Sequence, residues 1–394
     1  MTAQLRHRSH GSGGRWALLV AVWVAAAVGV VALVLSGAAS GRRAPARAAA
    51  AATSVTLPPL TPAQMAGQRV IYSYTGLTPP SELLWLIRHG RAAGVIFFTD
   101  NIRSRVQLRA AVRTLDRADQ SSGNPIKAPL LLMTDQEGGQ VRRLSGAPLL
   151  SEKQIGLASD PAAAATAAGT GAATNLRDVG LNVDLAPVLD VYRRAGDFDD
   201  QYGRSYSRRP SVVAALGADF ITALQKGGVA ATAKHFPGLG AATRTQDTDT
   251  GPVTLDLTAG RIRDFDEVPY KAAIGAQVRL VMVSWAIYPA LEPGRPAGLA
   301  APVVQGELRK RLGFEGVTVT DALEAGALRS FGTIGHRAEL AAGAGMDLIL
   351  CSQGQVGEGE KALAGLRHGY VDGALGKPAF EAAVERIVAL RGSL

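Results

Sequence analysis

The chain has 394 residues, 47% hydrophobic and 19% charged, enough apolar material for one large core or two small ones. Its net charge of +9 invites a nucleic-acid reading, but residues 1–58 hold six arginines and no acid, leaving +3 for residues 59–394. No basic stripe interleaved with aromatics appears in that body, so no nucleic-acid partner is expected, and a single cysteine excludes internal disulfides and thiolate metal clusters.

In chain order, residues 1–15 form a basic tail with Arg6, Arg8 and Arg15, expected on the cytoplasmic side. Trp16 to Leu35 reads WALLVAVWVAAAVGVVALVL without a charge. A helix of this length, at about 1.5 Å per residue, reaches roughly 30 Å and matches the hydrocarbon core of a bilayer. Cleaved signal peptides have shorter apolar regions of roughly 7–15 residues, so residues 16–36 are read as a transmembrane signal anchor. A cleaved signal peptide is the alternative, since SGAASG offers small residues for cutting. Either way the body is expected to be extracytoplasmic, membrane-anchored or secreted. Residues 37–58, rich in Ala, Arg, Gly and Pro, read as a flexible linker.

Residues 59–394 alternate short apolar runs with longer amphipathic segments. The runs are VIYSY from Val70, GVIFF from Gly94, LLLMTD from Leu130, NVDLAP from Asn182, VAATAKHF from Val229, LVMVSW from Leu280, VTVTDA from Val317 and LILCS from Leu348. Each is too short and too rich in β-formers for a helix, and none alternates cleanly, as expected of parallel strands buried on both faces. Helical patterns such as SELLWLIRHG, RVQLRAAVRTLDRA, SVVAALGADFITALQKGG and RAELAAGAGM lie between them. Eight such units point to an α/β fold, a (β/α)8 TIM-type barrel. A doubly wound sheet would show a glycine fingerprint after its first strand, and Val70–Tyr74 runs into TGLTPP instead. Cys351, inside LILCS, reads as a small core residue.

In such a barrel the active site forms at the C-terminal ends of the strands. Those ends carry Asp135, Asp190, Lys234, His235 and Asp321. A mouth lined with carboxylates, one lysine and one histidine suits glycoside hydrolysis, which needs a carboxylate facing the anomeric carbon and a proton donor for the leaving oxygen. No cofactor is required. No metal is expected either, because HxH, HExxH and His–Cys clusters are absent and two of the six histidines, His7 and His10, sit in the tail. An aldolase would need a Schiff-base lysine, for which Lys234 is the one good candidate.

Five segments are recognisable in order: TDQEGGQVRRL (134–144), GLNVDLAPVLDV (180–191), GRSYS (203–207), AKHFPGLG (233–240) and LGFEGVTVTDALEAGAL (312–328). With these the chain resembles the family-3 glycoside hydrolases, in particular the single-barrel bacterial β-N-acetylhexosaminidases that trim N-acetylglucosamine from peptidoglycan fragments. The resemblance runs from about residue 65 to the end and argues against the aldolase. It implies a retaining exo-β-glycosidase acting on a carbohydrate such as a muropeptide or chitooligosaccharide, and the chain is expected to be a monomer. Asp321 takes the place of the nucleophile, and Asp135, Arg204, Lys234 and His235 those of sugar-binding residues. Without the resemblance, the Arg204 neighbourhood, DFDDQYGRSYSRR, would read as a solvated charged loop.

The chain departs from the family at the proton donor. That role belongs to a histidine on a flexible loop, preceded two residues earlier by an aspartate. Here the loop reads KHFPGLGAATRTQDTDTGPV, which places Asp247 on the aspartate and Asp249 on the missing histidine. Leu239 and Trp285 also stand where histidines are usual. Two outcomes are expected to compete. Either Asp249 or Asp247 donates the proton, its pKa raised by an ionised Asp321 nearby, or hydrolysis is lost and a cell-surface glycan-binding protein remains. A β-glucosidase specificity also stays open.

Overall fold

A computed structural model describes residues 57–394. The anchor expected at 16–36 and all but the last two residues of the linker lie outside the described residues. Among the described residues no helix is long and apolar enough to cross a membrane.

Each of the eight apolar runs supplies one strand of a closed, all-parallel barrel. The strands are β1 (Val70–Tyr72), β2 (Gly94–Ile96), β3 (Leu131–Thr134), β4 (Val183–Asp184), β5 (Ala230–Phe236), β6 (Leu280–Val283), β7 (Val317–Ala322) and β8 (Leu348–Leu350). The ring closes where Val70 pairs with Ile349 and Ile71 with Leu350. Successive side chains point to opposite faces of a strand, which explains the two apolar clusters. Ile71, Leu131, Val183, Leu280, Val319 and Leu348 fill the barrel, while Val70, Tyr72, Leu132 and Val281 face the surrounding helices. Both faces are buried, so the runs lack alternation.

The helices return the chain between strands. They are α1 (Ser81–Arg88), α2 (Arg105–Asp119), α3 (Pro161–Val179), α4 (Pro210–Lys226), α5 (Val268–Gly275), α6 (Pro302–Arg311, wound with π-type turns), α7 (Ile334–Ala344), α8 (Val356–Val371) and α9 (Lys377–Gly392). Local chemistry sets their ends. Asp160 caps α3 by accepting the Ala163 N–H, Pro161 fits the first turn, and Gly180 at φ 87° stops the helix in a conformation other residues rarely adopt. The last helix closes the N-terminal end of the barrel. Ile387 and Leu390 of α9 join the interior cluster. The fully buried Arg391 donates to the carbonyls of Pro129 (2.9 Å) and Ala128 (2.6 Å). The opposite end is left for the loops that follow the strands.

Candidate active site

The segment after β3 turns into a short hairpin, Gln136–Gly138 against Val141–Arg142. Gln136 is its anchor. Its backbone N–H donates to Asp184 Oδ1 (3.0 Å), and its side-chain amide donates to the carbonyls of Leu144 (3.0 Å) and Ala147 (2.9 Å). Asp135 and Glu137, on either side of Gln136, both line the cavity at the barrel mouth.

There they meet two buried cations. Lys234, at the end of β5, reaches Asp135 Oδ1 at 2.9 Å and Glu137 Oε1 at 2.7 Å. Arg204 grips Glu137 with paired bonds of 2.8 and 2.9 Å and donates to Asp199 Oδ1 at 3.1 Å. Burial alone would neutralise Glu137, yet Arg204 and Lys234 outweigh it and hold the carboxyl well below its ordinary range. Asp135 is likewise held low by Lys234 and Arg143 against its burial. The wall is therefore charged and internally paired before any ligand arrives, with its side chains already oriented.

His235 is held from behind. Its Nδ1 lies 2.7 Å from Asp190 Oδ2, and the backbone N–H of Leu239 also donates to Asp190. Burial, with Arg204 adding repulsion, lowers His235 to about 4, so the ring is neutral near pH 7. Asp190 is raised by burial to about 6 and is still mainly ionised there. Nδ1 therefore carries the proton and donates it to Asp190. Asp190, Asp199 and His235 bring three possible ligand atoms within 4.8 Å of one another. Within the group His235 bonds to Asp190, and Asp199 accepts from Arg204.

Asp321 ends the row of the β7 strand, and its Oδ1 accepts the N–H of Ala322 at 2.8 Å. Burial raises its pKa; His235 and Lys234 oppose the shift and Asp249 adds to it. Asp247 and Asp249 come from the long connection after β5. Asp247 Oδ1 accepts the backbone N–H of Asp249 at 2.9 Å, which fixes the turn. Asp249 is raised by burial and then by the like charges of Asp247 and Glu324.

One cavity of about 250 Å³ is lined by all seven residues singled out above: Asp135, Arg204, Lys234, His235, Asp247, Asp249 and Asp321. It falls below the roughly 300–1,000 Å³ of pockets for larger ligands, and suits a single sugar ring at the end of a chain. Ile96, Leu185, Met282 and Leu350 form an apolar floor. Leu239 lines the cavity too. Trp285 is fully buried and donates from its indole to the carbonyl of Ala322, so it braces the strand that carries Asp321.

The solvated loop that DFDDQYGRSYSRR would suggest by composition alone is not what its central residues form. Asp199, Asp200 and Ser205 are buried, because Arg204 neutralises Asp199 and Lys153 neutralises Asp200 at 2.7 Å. Two functional groups escaped the sequence reading. Glu137 organises both cations, and its carboxylate two positions after Asp135 was the available signal. Ser352, after β8, lines the cavity and donates to Glu324 at 2.6 Å, and no pattern marks it.

The profile of the glycosyl hydrolase family 3 N terminal domain matches residues 64–390. Among similar proteins, an uncharacterized secreted glycosyl hydrolase of Arthroderma benhamiae is 44% identical over 332 residues, 84% of this chain and 94% of that protein. A beta-hexosaminidase of Stenotrophomonas maltophilia is 35% identical over 294 residues, covering 71% and 82% respectively. Among solved structures, a family 3 β-N-acetylglucosaminidase of Paenibacillus sp. superposes with a TM-score of 0.79 at 33% identity, over 85% of this chain and 63% of that one. A β-N-acetylhexosaminidase of Beutenbergia cavernae superposes with a TM-score of 0.77 at 29% identity, over 85% and 99%. The barrel expected from the eight runs thus finds its counterparts, and the chain belongs to glycosyl hydrolase family 3.

Proposed function

We propose that the protein is a retaining exo-β-N-acetylglucosaminidase that removes one terminal sugar at a time. The observation that carries the reading is the convergence of a candidate nucleophile, a second carboxyl for proton donation and a pre-paired charged wall on one sugar-sized cavity. The hexosaminidases among its relatives supply the sugar class. Asp135, Lys234 and Arg204 hold the ring through its hydroxyls. Asp321 attacks the anomeric carbon while Asp249 protonates the departing glycosidic oxygen, and the C–O electron pair leaves with that oxygen. A water then attacks the glycosyl ester and gives its proton to Asp249, which returns both carboxyls to their starting states. Asp247 orients Asp249.

We place this activity outside the cytoplasm, on cell-wall sugars, with the polypeptide held at the membrane by residues 16–36 and acting as a monomer. The apolar N-terminal run supports export, as does a relative named as secreted. Every side chain invoked in the cycle comes from one barrel.

The test compares the full chain with Asp321→Ala on 4-nitrophenyl β-N-acetylglucosaminide and β-glucoside. Release that is lost in Asp321→Ala, and faster for the acetamido sugar, supports the reading. Faster release from the glucoside changes the sugar. Silence on both, with measurable muropeptide binding, replaces the hydrolase with a glycan-binding protein.

A further inference from the structure

We propose that Gly326 is a positioning residue for the proton donor, a catch that locks the Asp249 segment across the cavity mouth. The inference rests on the reading of Asp249 as donor and adds how its place is fixed.

The connection after β5 is zipped along both edges. On one side the N–H of Gly326 donates to the carbonyl of Asp249 (2.8 Å), and the N–H of Ala327 to that of Thr248 (3.0 Å). On the other side Thr254 bridges Ile287, the Leu255 N–H donates to the Ile287 carbonyl (2.9 Å), and the Ile287 N–H to that of Val253 (2.8 Å). Thr248, Val253 and Leu255 are buried along this strap. Asp249 is held by its backbone alone, which leaves its side chain facing the cavity.

The catch works only without a side chain. A Cβ on Gly326 would lie 2.4 Å from the carbonyl carbon and oxygen of Thr250 and 2.8 Å from the oxygen of Asp249. These are backbone atoms that no rotamer change can clear, so the strap itself must shift. Gly326 does not line the cavity. Its replacement should therefore act on proton donation and spare the nucleophile and the sugar-binding wall. A displacement of about 1 Å is enough to cost a positioned group much of its effect.

The experiment measures kcat/KM for the full chain, Asp249→Asn and Gly326→Ala on phenyl and 2,4-dinitrophenyl β-N-acetylglucosaminides. The good leaving group needs little protonation. Gly326→Ala is expected to lose about tenfold or more on the phenyl substrate, a part of the roughly 10²–10⁴-fold that general acid catalysis contributes, and to remain close to the parent on the dinitrophenyl one. Equal losses on both substrates, or no loss on either, overturn the proposal. A flat response from Asp249→Asn overturns the donor assignment beneath it, a result separable from failure of the catch alone. If Gly326→Ala does not fold, amide hydrogen exchange on the parent decides. Slow exchange at Gly326 and Ala327 supports the zipped strap, and exchange at the rate of an open loop overturns it.

Discussion

Glu137 holds the charged wall of the site together, because its two oxygens satisfy Arg204 and Lys234 together. Removing one member of a buried ion network leaves its partners charged and desolvated, typically at a cost of about 3–5 kcal/mol. Asp135 and Asp199 still face the two cations, so Glu137→Ala is expected at the lower end of that range. Urea denaturation should show a reduced midpoint, accompanied by a raised KM; an unchanged midpoint would contradict the role. Asp184 offers a different test. Fully buried, it is raised by burial to about 8 against the bond from Gln136, while an unfolded aspartate titrates near 3.9. Because the folded pKa is the higher one, the stabilisation is complete below about pH 4, declines as pH rises and is gone above about 8. Asp184→Asn cannot titrate, so its melting temperature should gain on the parent as pH rises from 5 to 8. A difference that stays constant with pH would refute the linkage.

At the scale of elements, strands and loops differ in how openly the sequence declares them. The eight runs were readable because an all-parallel barrel buries both faces of each strand, leaving an apolar block of a few residues that hardly resembles a helix. Strand-end residues followed from that alone, since the fold dictates which end carries chemistry. The spacing from Asp135 offered Glu137 as a candidate, but its importance comes from Arg204, 67 positions away. Asp199 and Asp200 looked solvated for the same reason: their neutralising partners are Arg204 and Lys153. Charge patterns report local composition, and burial of a charge is settled by a partner elsewhere in the chain. The zipped edges of the Asp249 strap are hidden in another way, being made of backbone groups every residue possesses. α9 gives the element-scale prediction. Arg391→Met would leave the carbonyls of Ala128 and Pro129 without their buried donor, and is expected to cost about 2–4 kcal/mol. Because α9 seals the end opposite the cavity, kcat/KM at 25 °C should be unchanged while the thermal midpoint falls. A parallel fall in activity at that temperature would show that the two ends are coupled.

Over the whole molecule the barrel divides its tasks along its axis, with closure at the N-terminal end and chemistry at the other, and a single apolar column joins them. Ile96, Leu185, Met282 and Leu350 belong at once to the interior cluster and to the cavity floor. The surface under the sugar is thus the top course of the core, close-packed against the layer beneath it. Changing the floor to admit a bulkier or differently substituted ring would repack the barrel interior, where added volume is poorly tolerated. New sugar preferences can accumulate freely only in the loops above, where the strap and the paired charges sit. A family built this way should diversify from the rim inward, leaving the floor as the most conservative part of its binding site.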